Sequence, residues 1–309
     1  DKNKKYTEEI LWRIYWKGYL ENYKSIWFEY INFKENSNDS NLINSAVLGK
    51  TGIDCFDTWM EELRENNYLH NHSRMWFASI WIFTLGLPWQ QGAKLFMKHL
   101  LDGDASSNTL SWRWIAGLHT NKKPYLASQE NINKYTIDRF RNTDIKISKE
   151  INNIKNINHQ SNKLPIQRSF PYSKNLLMFD NDMNIFNRSK LFNSYSKVYI
   201  LSNAIKNNGF ELSEKVSQFK LDLINSVNKF IPNSEVLNSN KLGIILYGQI
   251  CIDVIYPGIG HNLDLINKYA NKNQVMINFI YRKEDLKYWN YANSGFYKFK
   301  KLFYKYNKI

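Results

Sequence analysis

The stretch LLDGDASSNTLSWRW, residues 100–114, sets Asp102 and Asp104 on either side of Gly103, then Asn108, then Trp112 and Trp114. Two carboxylates this close can balance a cation in a dry pocket, where an uncompensated charge is costly. Two indoles offer flat faces to stack on and rings that can give up an electron. The bland reading is a loop that runs into a packed helix, with both indoles in the core.

The elements around this stretch read as helical. Residues 6–34 repeat apolar side chains every three or four positions, as an amphipathic helix does, until KENSNDSN breaks the pattern. CFDTWMEELRENN, SRMWFASIWIFTLG and WQQGAKLFMKHLL continue it, with Gly86 and Pro88 marking a stop. Residues 1–140 are therefore expected to form one all-helical domain. Residues 141–165 are polar and Asn-rich and read as a linker. Beyond them the texture changes. NLLMFD, SKVYILS, LGIILYG, CIDVIYP and QVMINFIYR read as strands, separated by helical segments. That alternation predicts a parallel-sheet α/β domain over 166–309.

Composition narrows the options. Of 309 residues, 16% are aromatic, and nine of the ten tryptophans precede residue 115, so the amino-terminal half packs or stacks against something flat. The net charge of +14 is uneven: residues 165–309 hold 20 Lys+Arg against 10 Asp+Glu. A basic surface draws nucleic acid or anionic lipid, so contact between this half and a DNA backbone is one hypothesis and a solvated basic face is the other. Cys55 and Cys251 stand far apart, which gives no disulfide framework and fits a reducing cytoplasm. The longest apolar run, at 75–89, is about four residues short of a bilayer span and reads as a buried helix. The first residue is Asp rather than Met, as in a fragment or processed product.

Several motifs fail. VLGKTG at 47–52 has Asn44 where a phosphate loop needs its first glycine. GIGHNL at 258–263 lacks the third glycine of a dinucleotide fingerprint and follows Pro257. His70 and His72 are two apart, a spacing that turns them to different sides of a helix, so no metal site is expected.

Four segments in register carry more weight: EEILWRIYW (8–16), NYLHNHSRMWFAS (67–79), LPWQQGAKLFMKHLLDGD (87–104) and ASSNTLSWRW (105–114). Their order and spacing resemble the FAD-binding helical domain of the DNA photolyase and cryptochrome family, from about residue 6 to about 136. The fold class implied is an all-helical photolyase-type FAD-binding domain followed by a parallel-sheet α/β domain, the latter similar to an extension on some family members.

The resemblance implies roles residue by residue. Asp102, Gly103 and Asp104 match the segment that contacts a bent FAD, and Arg74 matches the arginine that pairs with the first acid beneath the flavin ring. Asn108 matches the residue facing flavin N5. Trp112 and then Trp89 match successive members of an electron-hopping chain. Glu9, Trp12, Met75 and Trp114 match the lining of a pocket for a flipped pyrimidine dimer, while Tyr6, Arg13 and Asn71 match FAD-contacting positions, with Arg13 also on the DNA side. A lesion inside a duplex must be extruded before chemistry, and aromatic walls stack on its bases.

Departures from the family pattern are plain. No Thr-Ser-x-x-Ser clamp for the FAD phosphates occurs, and His72 stands where an arginine is usual. The third hopping tryptophan has no assigned position: Trp27 is a candidate, and Phe33 occupies the aligned region. The expected activity is blue-light repair of cyclobutane pyrimidine dimers in DNA by a monomer away from membranes. The rivals are a cryptochrome-like photoreceptor without repair and a truncated remnant that binds no flavin.

Overall fold

The computed structural model of the chain describes residues 2–34, 40–119, 123–137, 139–140, 145, 159–166, 173–186, 188–202 and 210–307. They divide into two compact units, one of Ser25–Gln160 and one of Asp1–Lys24 with Ser161–Ile309. Most of the expected linker, 141–165, lies outside the described residues.

Helix α1, Lys2–Asn22, opens the chain and belongs to the second unit. The amphipathic pattern read across 6–34 is broken at Tyr23 and Lys24 and resumes in α2, Ser25–Ile31.

The helical unit continues with α3 (Ser40–Leu48), α4 (Asp54–Asn66) and α5 (Asn71–Ser79), which runs on into a π-helical turn at Ile80–Thr84. Gly86 ends that turn at φ 66°, and α6 (Trp89–His99), α7 (Ala105–Ile115) and α8 (Gln129–Thr136) follow. The 75–89 run is thus broken before it could reach a membrane span, and no described helix is long and apolar enough to cross a membrane.

The other unit is built on five parallel strands in the order β3-β2-β1-β4-β5. In chain order these elements are β1 (Asn175–Phe179), α9 (Ser189–Asn193), β2 (Lys197–Ser202), α10 (Glu214–Asn228) and β3 (Ser234–Asn238). Then come α11 (Leu242–Leu246), β4 (Cys251–Ile255), α12 (His261–Asn273), β5 (Met276–Ile280), α13 (Lys283–Trp289) and α14 (Phe296–Asn307). Both sheet faces are covered. Leu176 and Met178 pack with Ile224 of α10, while Leu177 and Phe179 pack with Leu265 of α12. That two-sided burial is why the inner strands β1, β2 and β4 read as apolar runs.

One strand expectation is corrected. LGIILYG forms α11, and the strand is SEVLN, β3, eight residues earlier. β3 lies at a sheet edge and carries Ser234, Glu235 and Asn238, so it shows no apolar run, while a short apolar stretch such as LGIIL suits a brief helix equally well. Asn238 then closes the strand by accepting a hydrogen bond from the Asn240 N–H at 3.2 Å.

Helix α1 packs on α13 and α14 in this unit, where the expected division placed it with residues 1–140. Gly18 makes the approach possible: a Cβ there would lie 2.7 Å from Ala292 Cβ and 2.9 Å from Trp289 Cδ1. Asn22 Nδ2 donates to the Trp289 carbonyl at 2.8 Å, and Tyr15 Oη donates to the Ser294 carbonyl at 2.6 Å. The GIGHNL segment does join a strand to a helix, β4 to α12. Its Ile259 N–H, however, is already given to the Glu21 carboxylate at 3.2 Å. The acids at the end of β1 are also engaged, Asp180 by Lys220 at 3.0 Å and Asp182 by Arg188 at 3.0 Å.

Candidate functional site

The turn between α6 and α7 is fixed from three directions. Asn67, in the left-handed conformation at the end of α4, donates from Nδ2 to the His99 carbonyl at 2.7 Å and accepts from the Leu101 N–H at 3.0 Å. Gly103 N–H returns to the Leu100 carbonyl at 3.1 Å, which tightens the turn. Asp104 then caps α7, its Oδ2 accepting from the Ser107 N–H at 2.9 Å. Replacing Asp104 with Ala is expected to cost about 1 kcal/mol, because the first turn of α7 loses an acceptor for its N–H groups. Urea unfolding of the two proteins reads this directly.

Arg74 reaches the same turn. Its NH1 lies 3.0 Å from Asp102 Oδ2, and its Nε donates to the Leu69 carbonyl at 2.8 Å, so the guanidinium is held at two points. Asp102 is 50% exposed at the side chain, and an ion pair this wet adds little stability. Its value lies in where it puts charge. One turn into α7, Asn108 donates from Nδ2 to the Ala93 carbonyl at 2.8 Å, which leaves Oδ1 as the end presented elsewhere. Trp112 brings the far end of its indole against α6 at Gly92 and meets Phe96 and Trp81 at steep interplanar angles. Gln91 Nε2 and Trp112 Nε1 are buried donors with no partner among the described residues.

Trp89 opens α6 and stacks on Tyr30 at 5.7 Å, and Tyr30 lies 5.4 Å from Trp27. Over the same Trp89 ring sits the Arg113 guanidinium, 5.7 Å from its centroid. Arg113 is almost wholly buried and pairs with Glu29 at 3.0 Å, and Glu29 also meets His159 at 3.0 Å. Burial pushes the Glu29 carboxyl up, but its bond to His159 and the charge of Arg113 outweigh this and hold it below the usual range. Burial, helped by Arg113, lowers His119 to about 4 and keeps it neutral. A lone arginine between two tryptophans is a signal that it is buried, but nothing marks Glu29 or His159 as its partners.

The remaining expected residues are placed as follows. Asn71 is exposed at the start of α5, Met75 is half-buried, and Trp114 stacks on Tyr125 at 5.7 Å. His72 is taken up in packing between Trp76 and Tyr135. Phe33 is half-buried. Tyr6, Glu9, Trp12 and Arg13 lie on α1, in the sheet unit. Tyr6, Glu9 and Arg13 are exposed, and one face of Trp12 is covered by Phe296 at 3.6 Å. Among the described residues no group of three His, Cys, Asp or Glu side chains could hold a metal ion.

A family model described as the FAD binding domain of DNA photolyase matches residues 6–166, just over half of the chain. The chain belongs to the DNA photolyase family. A deoxyribodipyrimidine photo-lyase of Buchnera aphidicola (subsp. Baizongia pistaciae) is 32% identical over 126 residues, covering 39% of this chain and 26% of the relative. One from Streptomyces griseus is 36% identical over 86 residues, 28% of this chain and 19% of the relative. One from Escherichia coli is 29% identical over 128 residues, 39% and 26%. The chain spans about a quarter or less of the length of these curated relatives. Within this photolyase-family domain the cofactor is FAD, and the residues present fit it. A paired Arg74 and Asp102 bring charge without net charge, and two orphaned donors and the Asn108 oxygen meet the needs of a polar-edged ring.

Proposed function

We propose that this chain is part of an enzyme that uses FAD and blue light to split pyrimidine dimers in DNA. The observation that carries this reading is the Arg74–Asp102 pair at 3.0 Å beside the Asp104-capped start of α7, inside the segment matched by the family. Bound FAD supplies light absorption and one-electron transfer. Arg74, Asp102, Gly103 and Asp104 hold and orient it, with Asn71 as an outer contact. Asn108, its amide nitrogen tied to α6, keeps Oδ1 ready to accept a hydrogen bond from a ring N–H. Trp112 and Trp89 offer oxidisable indoles, and Tyr30 continues the series to Trp27, with Phe33 left aside. Met75 and Trp114 form walls beside the lesion.

The test is an absorbance spectrum of the purified protein, then blue light on dimer-containing oligonucleotides. A charge-assisted hydrogen bond contributes about 1.5–3 kcal/mol, so Arg74→Ala is expected to weaken FAD retention roughly tenfold or more. A colourless parent protein would overturn the reading. A second reading, a flavin photoreceptor without repair, is favoured by one observation: Phe296 covers a face of Trp12 that a lesion would need. Reduced protein that keeps its flavin yet leaves every dimer intact under light would decide for it.

A further inference from the structure

Helix α14 is amphipathic in an unusual sense. Its apolar side is fully used within the sheet unit: Phe296 stacks on Trp12, Phe299 is buried 5.5 Å from Tyr15, and Phe303 lies 4.8 Å from Tyr288. The outer side carries Tyr297, Lys298, Lys301 and Lys305, all exposed, with Tyr297 80% so. Lys300 is ion-paired with Glu8, whereas no carboxylate among the described residues pairs with Lys298, Lys301 or Lys305. Spacings of three and four put these three ammonium groups on one stripe, along about 10 Å of helix.

Lys305 lies over the Tyr306 ring at 5.6 Å, but three like charges on one stripe without a carboxylate partner among the described residues repel one another, and a polyanion would relieve that repulsion. The half of the chain that contains them is the strongly basic one, with 20 Lys+Arg against 10 Asp+Glu. Two polyanions could meet such a stripe, a membrane surface or a nucleic acid. A helix that lies in a membrane inserts its apolar side into the lipid. Here that side is spent on Trp12, Tyr15 and Tyr288. What remains outside is lysine with an exposed phenol ring, and unpaired bases stack on such rings while the ammonium groups track the phosphates.

We propose that the outer side of α14 is a sequence-independent contact for single-stranded DNA, with Lys298, Lys301 and Lys305 on phosphates and Tyr297 under a base. It needs neither cofactor nor lesion, so it does not rest on the repair reading. The measurement is fluorescence anisotropy of a labelled oligothymidylate with the whole chain in the dark, between about 50 and 200 mM salt. Three phosphate contacts contribute a slope of about −2 to log affinity against log salt. The triple variant Lys298→Gln/Lys301→Gln/Lys305→Gln is expected to bind at least tenfold more weakly at low salt, with a slope shallower by about that amount. Tyr297→Ala is expected to lower affinity about tenfold and leave the slope unchanged. All four positions are exposed, and unaltered thermal melting of the variants will show that the fold is kept. The proposal is overturned if the triple variant keeps both affinity and slope. It is also overturned if Tyr297→Ala binds as the parent does, or if the triple variant loses binding to anionic phospholipid vesicles while its DNA binding stays intact.

Discussion

Gly92→Ala is expected to destabilise the chain by about 2 kcal/mol, the opposite of what helix propensity alone would give. A methyl at this position in α6 would stand 2.2 Å from Trp112 Cη2 and 2.4 Å from Cζ3. The indole has nowhere to go, since Phe96 abuts it at 5.0 Å and Trp81 at 6.3 Å, both edge-on, and it is almost wholly buried. Alanine in place of glycine favours the helix by about 1 kcal/mol. Forcing a methyl into an unyielding core costs about 3 kcal/mol or more, so the clash prevails. Because Trp112 and Asn108 share α7, the displaced ring also disturbs the site, and retained flavin should fall with stability. Urea unfolding and the near-ultraviolet circular dichroism of the aromatic cluster measure both effects. A variant as stable as the parent, with the same aromatic signal, would show that Trp112 does not lie on Gly92.

Different parts of this molecule are readable from sequence to different depths. The helical unit is readable because its apolar residues recur at helical spacing and its breaks fall at Asn, Gly and Pro. The Arg74–Asp102 contact is reachable only through the ordered motifs: the two residues are 28 apart, and nothing in either neighbourhood names the other. β1, β2 and β4 announce themselves as apolar runs because both faces of the sheet are buried around them. The two edge strands differ: β5, MINFI, keeps an apolar sequence although it is mostly half-buried, while β3 carries Ser234, Glu235 and Asn238 and shows no run. The docking of α1 is invisible for a more general reason. Amphipathicity identifies which side of a helix is buried and says nothing of what buries it. Gly18 is the clue in hindsight, a glycine inside a long helix where only close approach by another element repays its cost in propensity. Glu21 is the hardest case, since a glutamate near a helix end reads as a surface charge and here is 1% exposed.

That buried glutamate makes the stability of the sheet unit depend on pH. Both Glu21 oxygens accept from Tyr256 Oη, at 2.8 and 3.0 Å, and Oε1 also accepts from the Ile259 N–H. Burial nonetheless dominates and raises the carboxyl from 4.5 to about 7, against the lowering effects of Tyr256, Lys24 and Ile259 and with a small further rise from Asp285. The folded chain therefore holds this proton up to about pH 7, while the unfolded chain releases it near 4.5. Stability from the protonated carboxyl is fully present below pH 4.5 and is lost as pH rises through 7. The displacement corresponds to on the order of 3 kcal/mol. Glu21→Gln keeps the shape and an acceptor oxygen for Tyr256 or Ile259 but cannot ionise, so it should gain on the parent steadily between those limits and hold its lead above them. The comparison must be made at each pH between the two proteins. His99 and His119, both lowered to about 4 by burial, push each of them the other way as pH rises to 6.5. Urea unfolding at half-unit steps gives the difference curve, and a difference that stays flat from pH 4.5 to 8 would mean that Glu21 titrates as an ordinary surface acid, with α1 held to the sheet unit by Gly18, Asn22 and the aromatic contacts alone.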